Sequence, residues 1–160
     1  MEVTPCADGL IESFALRDRF EAKVCEAVDA FDVAGSCALD GAASTIAWLR
    51  NFCRISSAEA ARVVARARRL RNLPATRSAW LEGTLSSDQV QAVVANVSDA
   101  TEEMFAESEE SLVPRLAPLS VAQCAIAMRY WRLGAEARLD PPEPGEPPSS
   151  LYLSKLMEGR

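Results

Sequence analysis

Three times this sequence repeats one short phrase, and the phrase dictates helix. Ile55-Ser56-Ser57-Ala58-Glu59-Ala60, Leu85-Ser86-Ser87-Asp88-Gln89-Val90 and Leu119-Ser120-Val121-Ala122-Gln123-Cys124 each set an apolar residue before a serine. Each then has Glu or Gln three positions after it. This is a capping box with a potential hydrophobic staple: the serine oxygen accepts from the third helical amide, and the Glu or Gln side chain reaches back to the serine amide. Such a cap contributes about 0.5–2 kcal/mol. The serines lie 30 and 34 residues apart, which raises the question of a helical solenoid. The stretches between them do not match one another, so the repetition reads as reuse of a good helix start.

The rest of the chain agrees. Leu10, Phe14, Phe20, Val24, Ala27, Val28 and Phe31 recur at helical steps, predicting one long amphipathic helix that ends near Gly35. Asp40-Gly41 signals a turn, and Ser44 caps a short helix carrying Ile46, Trp48, Leu49 and Phe52. Proline disfavours helix in the residue before it, so Leu73-Pro74 breaks the helix that begins at Ser56. A short helix with Trp80 and Leu81 stops at Gly83, and Val90, Val93, Val94 and Val97 stripe the next. An acidic helix follows, closed by Pro114 and Pro118, and a last long helix carries Ile126, Tyr130, Trp131 and Leu133. The expected fold is all-α: an irregular bundle of about six to seven helices over residues 8–139. A chain of 160 residues fits one such domain with a real core. Residues 140–150 hold five prolines and read as a stiff, extended linker. Residues 151–160 read as the first strand of an absent or truncated C-terminal part.

Composition removes whole classes of chemistry. There is no histidine, which excludes Ser-His-Asp and Cys-His catalysis, histidine-ligated zinc and any nuclease with a histidine base. The seven glycines are scattered and form no phosphate loop. The longest apolar run, 124–128, is too short to span a bilayer, and the N-terminus lacks the pattern of a secretory signal. Five cysteines without a C-x-x-C pair argue against a zinc knuckle or a disulfide framework. Cys25, Cys53 and Cys124 are expected as buried small hydrophobes in a reduced, cytoplasmic protein. No cofactor, no metal and no membrane partner is expected. The adjacent pairs Glu102-Glu103 and Glu109-Glu110 point about 100° apart on a helix, so each pair is expected on a solvated acidic face.

Charge is unevenly spread. Between Trp48 and Trp80 stand eight arginines and a single acid, Glu59, in a chain whose net charge is −6. Six of the acids crowd into 99–110. Such islands can pair inside the molecule, or the basic one can form a binding face. Arg62, Arg66 and Arg69 fall at i, i+4 and i+7 of one predicted helix, opposite Ala60, Val63, Ala67 and Leu70. They are expected at least as a solvated face, and they are the candidate contacts to DNA phosphates. Three contacts alone give weak binding. The helix from Ser56, its break and the next helix make a poor helix-turn-helix template. Trp48, Trp80 and Trp131 sit in apolar helical patterns and are expected in packing.

One ordered set of residues carries a resemblance: Asp40-Gly41, Ser44-Thr45-Ile46-Ala47-Trp48-Leu49, the Ile55-Ser56 cap with Glu59-Ala60, Ala67-Arg68-Arg69-Leu70, Leu73-Pro74, Gly83-Thr84-Leu85-Ser86 and Gln89-Val90. Over residues 10–139 the chain resembles the actinobacterial 13E12 repeat family, domain of unknown function 222, which usually precedes an HNH endonuclease domain. In members that carry the nuclease, histidines and a metal ion at the C-terminal end cleave phosphodiesters. No catalytic residue transfers to a chain without histidine. The resemblance implies a non-catalytic N-terminal helical module with a DNA-targeting or assembly role. The alternative is a protein–protein interaction module, a homodimer, with no nucleic-acid role.

Overall fold

The computed structural model describes residues 6–140. Among them lie α1 (Ala7–Val33), α2 (Thr45–Phe52), α3 (Ser57–Leu70), α4 (Pro74–Glu82), α5 (Ser87–Asn96), α6 (Glu102–Leu116) and α7 (Val121–Leu139), with a 3-10 turn at Ser36–Asp40. The described residues contain no strand, and the architecture is the expected all-α irregular bundle. Apart from Asp140, the expected linker at 140–150 and strand at 151–160 lie outside the described residues.

Two of the three capping boxes close in both directions. Ser86 Oγ accepts from the Gln89 amide at 3.2 Å, and Gln89 Oε1 accepts from the Ser86 amide at 2.9 Å. Ser120 and Gln123 repeat this at 3.3 and 2.9 Å. The third box is half made. Ser56 Oγ accepts from the Glu59 amide at 3.1 Å, but the Glu59 carboxylate turns to Arg62 Nε and Nη2 at 3.0 and 2.5 Å. A charged, two-pronged donor outcompetes a neutral amide for a carboxylate; glutamine at the other two sites has no such rival. Gln89 also donates to the carbonyls of Leu116 and Leu119 at 3.2 and 2.8 Å, tying the start of α5 to the α6–α7 connection.

The breaks obey local chemistry with one correction. α3 ends at Leu70, and Pro74 opens α4 at its first position, where its missing amide is harmless. Gly83 ends α4 with φ 81°, a left-handed conformation that favours glycine. Pro114, however, does not close the acidic helix. It sits inside the last turn of α6, which runs on to Leu116. The cost of one lost helical hydrogen bond is offset there by burying Val113 and Leu116 in the core.

The core is built from α3, α4, α5, α6 and the inner sides of α1 and α7. Trp80, Phe105, Leu70, Leu73, Leu85 and Met128 are its largest apolar members. Trp131 packs edge-on against Phe105, with centroids 4.9 Å apart. Trp80 is fully buried and its Nε1 donates to Ser87 Oγ at 3.1 Å. The tryptophans therefore pack as expected.

The two longest helices leave large apolar residues exposed. α1 turns Asp18, Ala22, Cys25 and Val28 inward and leaves Leu10, Phe14, Phe20 and Val24 exposed. Ala22 and Cys25 on the inward side of α1 line a cleft together with Ala67, Leu70 and Trp80. α7 buries Cys124, Met128 and Ala135 and exposes Ile126, Tyr130 and Leu133. Cys25 and Cys124 are buried as expected, but Cys53 is exposed because it caps the C-terminus of α2 rather than continuing its stripe. No helix of the described residues is long and apolar enough to cross a membrane.

Candidate functional site

Five of the eight arginines of the basic island lie on α3 and its C-terminal turn; Arg50 lies on α2, Arg54 follows it and Arg77 lies on α4, and these three make no ion pair among the described residues. Arg62 is exposed and paired with Glu59 on its own helix. Arg66, expected on the same outward face, is only 5% exposed. The reason is the width of the buried arc of α3, which takes in Ala60, Val63, Val64, Ala67 and Leu70 and extends to position 66. Its guanidinium lies 4.7 Å over the Trp80 ring, a cation–π contact, and its nearest carboxylate is Glu21 at 3.9 Å. Arg66 Nε has no hydrogen-bond partner. Arg69 bridges to the acidic segment, donating to Asp99 at 2.5 Å and to Glu102. Asn72 donates to Glu102 at 2.7 Å beside it. The three arginines thus do not form one free face.

The neighbouring arginines are engaged by α1. Arg68 grips both oxygens of Asp32, at 2.9 and 2.8 Å, and Arg71 donates twice to Asp29, at 2.9 and 2.7 Å. Thr45 Oγ1 adds a third bond to Asp32 at 2.8 Å. Arginines on and just after α3 therefore do pair inside the molecule, but α1 supplies three of the acids, Glu21, Asp29 and Asp32, and the 99–110 segment two, Asp99 and Glu102. The Arg68 bonds hold Asp32 down to about 2, against the pull of burial. A carboxylate depressed in the folded state stabilises above its unfolded value and loses that contribution as pH falls through the folded one. Asp32→Asn is expected to cost about 1–2 kcal/mol at neutral pH, discounted because Arg68 is half exposed. The cost should fade between about pH 4 and 2, which urea unfolding across that window would read directly.

The acidic pairs also depart from a solvated face. Glu109 is buried, and its Oε1 accepts from the Thr76 backbone amide at 2.6 Å. That amide opens α4, whose N-cap residue Leu73 has no side-chain oxygen to offer. Glu102 is half buried in its pairing with Arg69. The sequence signal that could have found Glu109 is the missing polar cap before Pro74, which requires an acceptor from elsewhere.

α4 is largely packed inward. Thr76, Ala79 and Trp80 are buried, and only Pro74, Ser78 and Glu82 of this helix are exposed. Beside it, Cys25 lines a cleft of about 230 Å³ between α1, α3 and α4, together with Glu26, Asp29, Arg71 and Arg77. Burial pushes the Cys25 thiol up, with Arg66 pulling the other way. A protonated, enclosed thiol is a poor nucleophile.

What stands open is apolar. On the outer side of α1, Leu16, Phe20 and Val24 are exposed, Phe20 at 68%. The same side continues through Ala27 to Phe31, which packs on Trp48 with centroids 4.6 Å apart. Trp48 stacks on Phe52 at 5.1 Å, and Phe52 is 55% exposed. The Trp48 Nε1 donates to Asp40 at 2.7 Å, which fixes the indole in place. The sequence predicts an amphipathic α1, and periodicity identifies its apolar face without saying what covers it.

A family model described as domain of unknown function (DUF222) matches residues 8–135. No curated protein and no solved structure matches the chain.

Proposed function

The chain belongs to the DUF222 family, and on that footing we propose that it is a non-catalytic helical module of an HNH-endonuclease-like protein, working by assembly in the cytoplasm. One observation carries the choice of assembly over DNA targeting. Arg62, Arg68, Arg69 and Arg71 are engaged by Glu59, Asp32, Asp99, Glu102 and Asp29, and Arg66 is buried against Trp80, whereas the apolar outer side of α1 is uncovered among the described residues. Releasing a guanidinium from a carboxylate to take a phosphate exchanges one charged bond for another and gains little. Covering exposed apolar surface gains on the order of 25 cal/mol per Å². The exposed free thiols of Cys6 and Cys53 suit a reducing compartment. The missing histidine supports a module without phosphodiesterase chemistry of its own.

The test is a titration of labelled duplex DNA at low and high salt, with plasmid nicking by the same chain measured in magnesium. Neither binding that falls with salt nor cleavage is expected. Binding with a clear salt slope, removed by Arg62→Glu with Arg69→Glu, would replace assembly by DNA targeting. Nicking would overturn the non-catalytic assignment.

A further inference from the structure

We infer that the outer side of α1 pairs with the same side of a second copy of this chain, antiparallel about a two-fold axis near position 25. The inference rests on the assembly reading and names its partner.

The spacing comes first. Phe20, Val24, Ala27 and Phe31 follow one another by four, three and four residues, the seam of a helix that packs lengthwise against another helix. The inward side of α1 is already occupied by Asp18, Ala22, Cys25 and Val28, so this seam has no partner within the described residues.

The seam contains its own complement. Phe20 and Phe31 stand at equal distances on either side of a point between Val24 and Ala27. A two-fold there sets Phe20 of each copy on the Phe31–Trp48–Phe52 cluster of the other, as an isologous contact requires. A foreign helix would have to carry the same aromatic spacing.

The area suffices. A standard interface buries about 800 Å² per partner, a little over half of it apolar. Leu16, Phe20, Val24 and Phe52, with the adjoining alanines and the edges of Phe31 and Trp48, expose on the order of 500 Å² of apolar surface.

Sedimentation equilibrium of the wild-type chain over a wide range of concentrations tests this. A reversible dimer is expected. Phe20→Glu should weaken it about 30-fold or more with helicity and thermal midpoint preserved, since Phe20 lies outside the core; Val24→Glu is the second variant. A wild-type monomer at every concentration, or a dimer indifferent to Phe20→Glu and Val24→Glu, overturns the pairing. Either result leaves the assembly reading to its own DNA titration, so the two failures are distinguishable.

Discussion

Arg66→Glu is expected to lower stability by about 4 kcal/mol, within the usual range for leaving a buried charge uncompensated. That is a large share of the roughly 5–15 kcal/mol that holds a domain folded. The side chain is enclosed, with its guanidinium over the face of a fully buried indole. A carboxylate there meets the negative face of the ring and lies toward Glu21, which now sits 3.9 Å from a cation. For a chain of this length the thermal midpoint should fall by about 8–16 °C. Arg66→Lys should lie between, since the ammonium keeps the charge but not the flat stack on Trp80. Arg62→Glu is the control: it breaks only the exposed pair with Glu59 and should cost about 0.5 kcal/mol. An Arg66→Glu chain within about 1 kcal/mol of the parent would mean that Arg66 is not packed in the core. One consequence bears on function. Substituting Arg62, Arg66 and Arg69 together mixes a large loss of stability with any loss of DNA binding; a test of phosphate contact must spare Arg66.

The difference between Arg62 and Arg66 also marks how far the sequence could be read. Helix starts were legible because caps are local: Ser44, Ser56, Ser86 and Ser120 each accept the expected amide. Stops at Gly83 and before Pro74 were legible for the same reason. What a helix faces is not local. The α1 stripe and the α7 residues Ile126, Tyr130 and Leu133 have the periodicity of a core face, yet α1 turns Ala22, Cys25 and Val28 inward and α7 turns Cys124, Met128 and Ala135 inward. Arg66 lies one step beyond an apolar arc, and only the indole beneath it makes burial favourable. Pro114 read as a stop because its local cost is known, whereas the burial of Leu116 that offsets it depends on tertiary packing. Intramolecular pairing was foreseeable from the two charge islands, but the roles of Asp29 and Asp32 on α1 were not, since the partners are 42 and 36 residues away in sequence.

Glu109→Ala is the second large effect, about 3 kcal/mol. The first turn of α4 lacks a side-chain cap of its own, Pro74 has no amide, and the Thr76 amide bonds to Glu109 Oε1 at 2.6 Å. A carboxylate at a helix N-terminus gains from the hydrogen bond and from the helix dipole together. Removing it leaves a buried N–H without an acceptor, a loss of about 1–3 kcal/mol, and a hole where the side chain stood. The same bond holds α6 to α4, which places both effects at one junction of the core. Glu109→Gln separates the contributions. Its amide oxygen can still accept from Thr76, so only the interaction of the charge with the helix end is lost, about 1 kcal/mol. The order Glu, Gln, Ala in urea midpoint is therefore the expected result, with an unchanged dependence of stability on urea. Equal losses for Gln and Ala would instead make the negative charge the whole contribution. No loss for Ala would show that α4 begins without help from α6. Solvent exchange at the Thr76 amide should rise in step with the lost stability in the Ala variant, because that proton then has no acceptor to hold it when the junction opens.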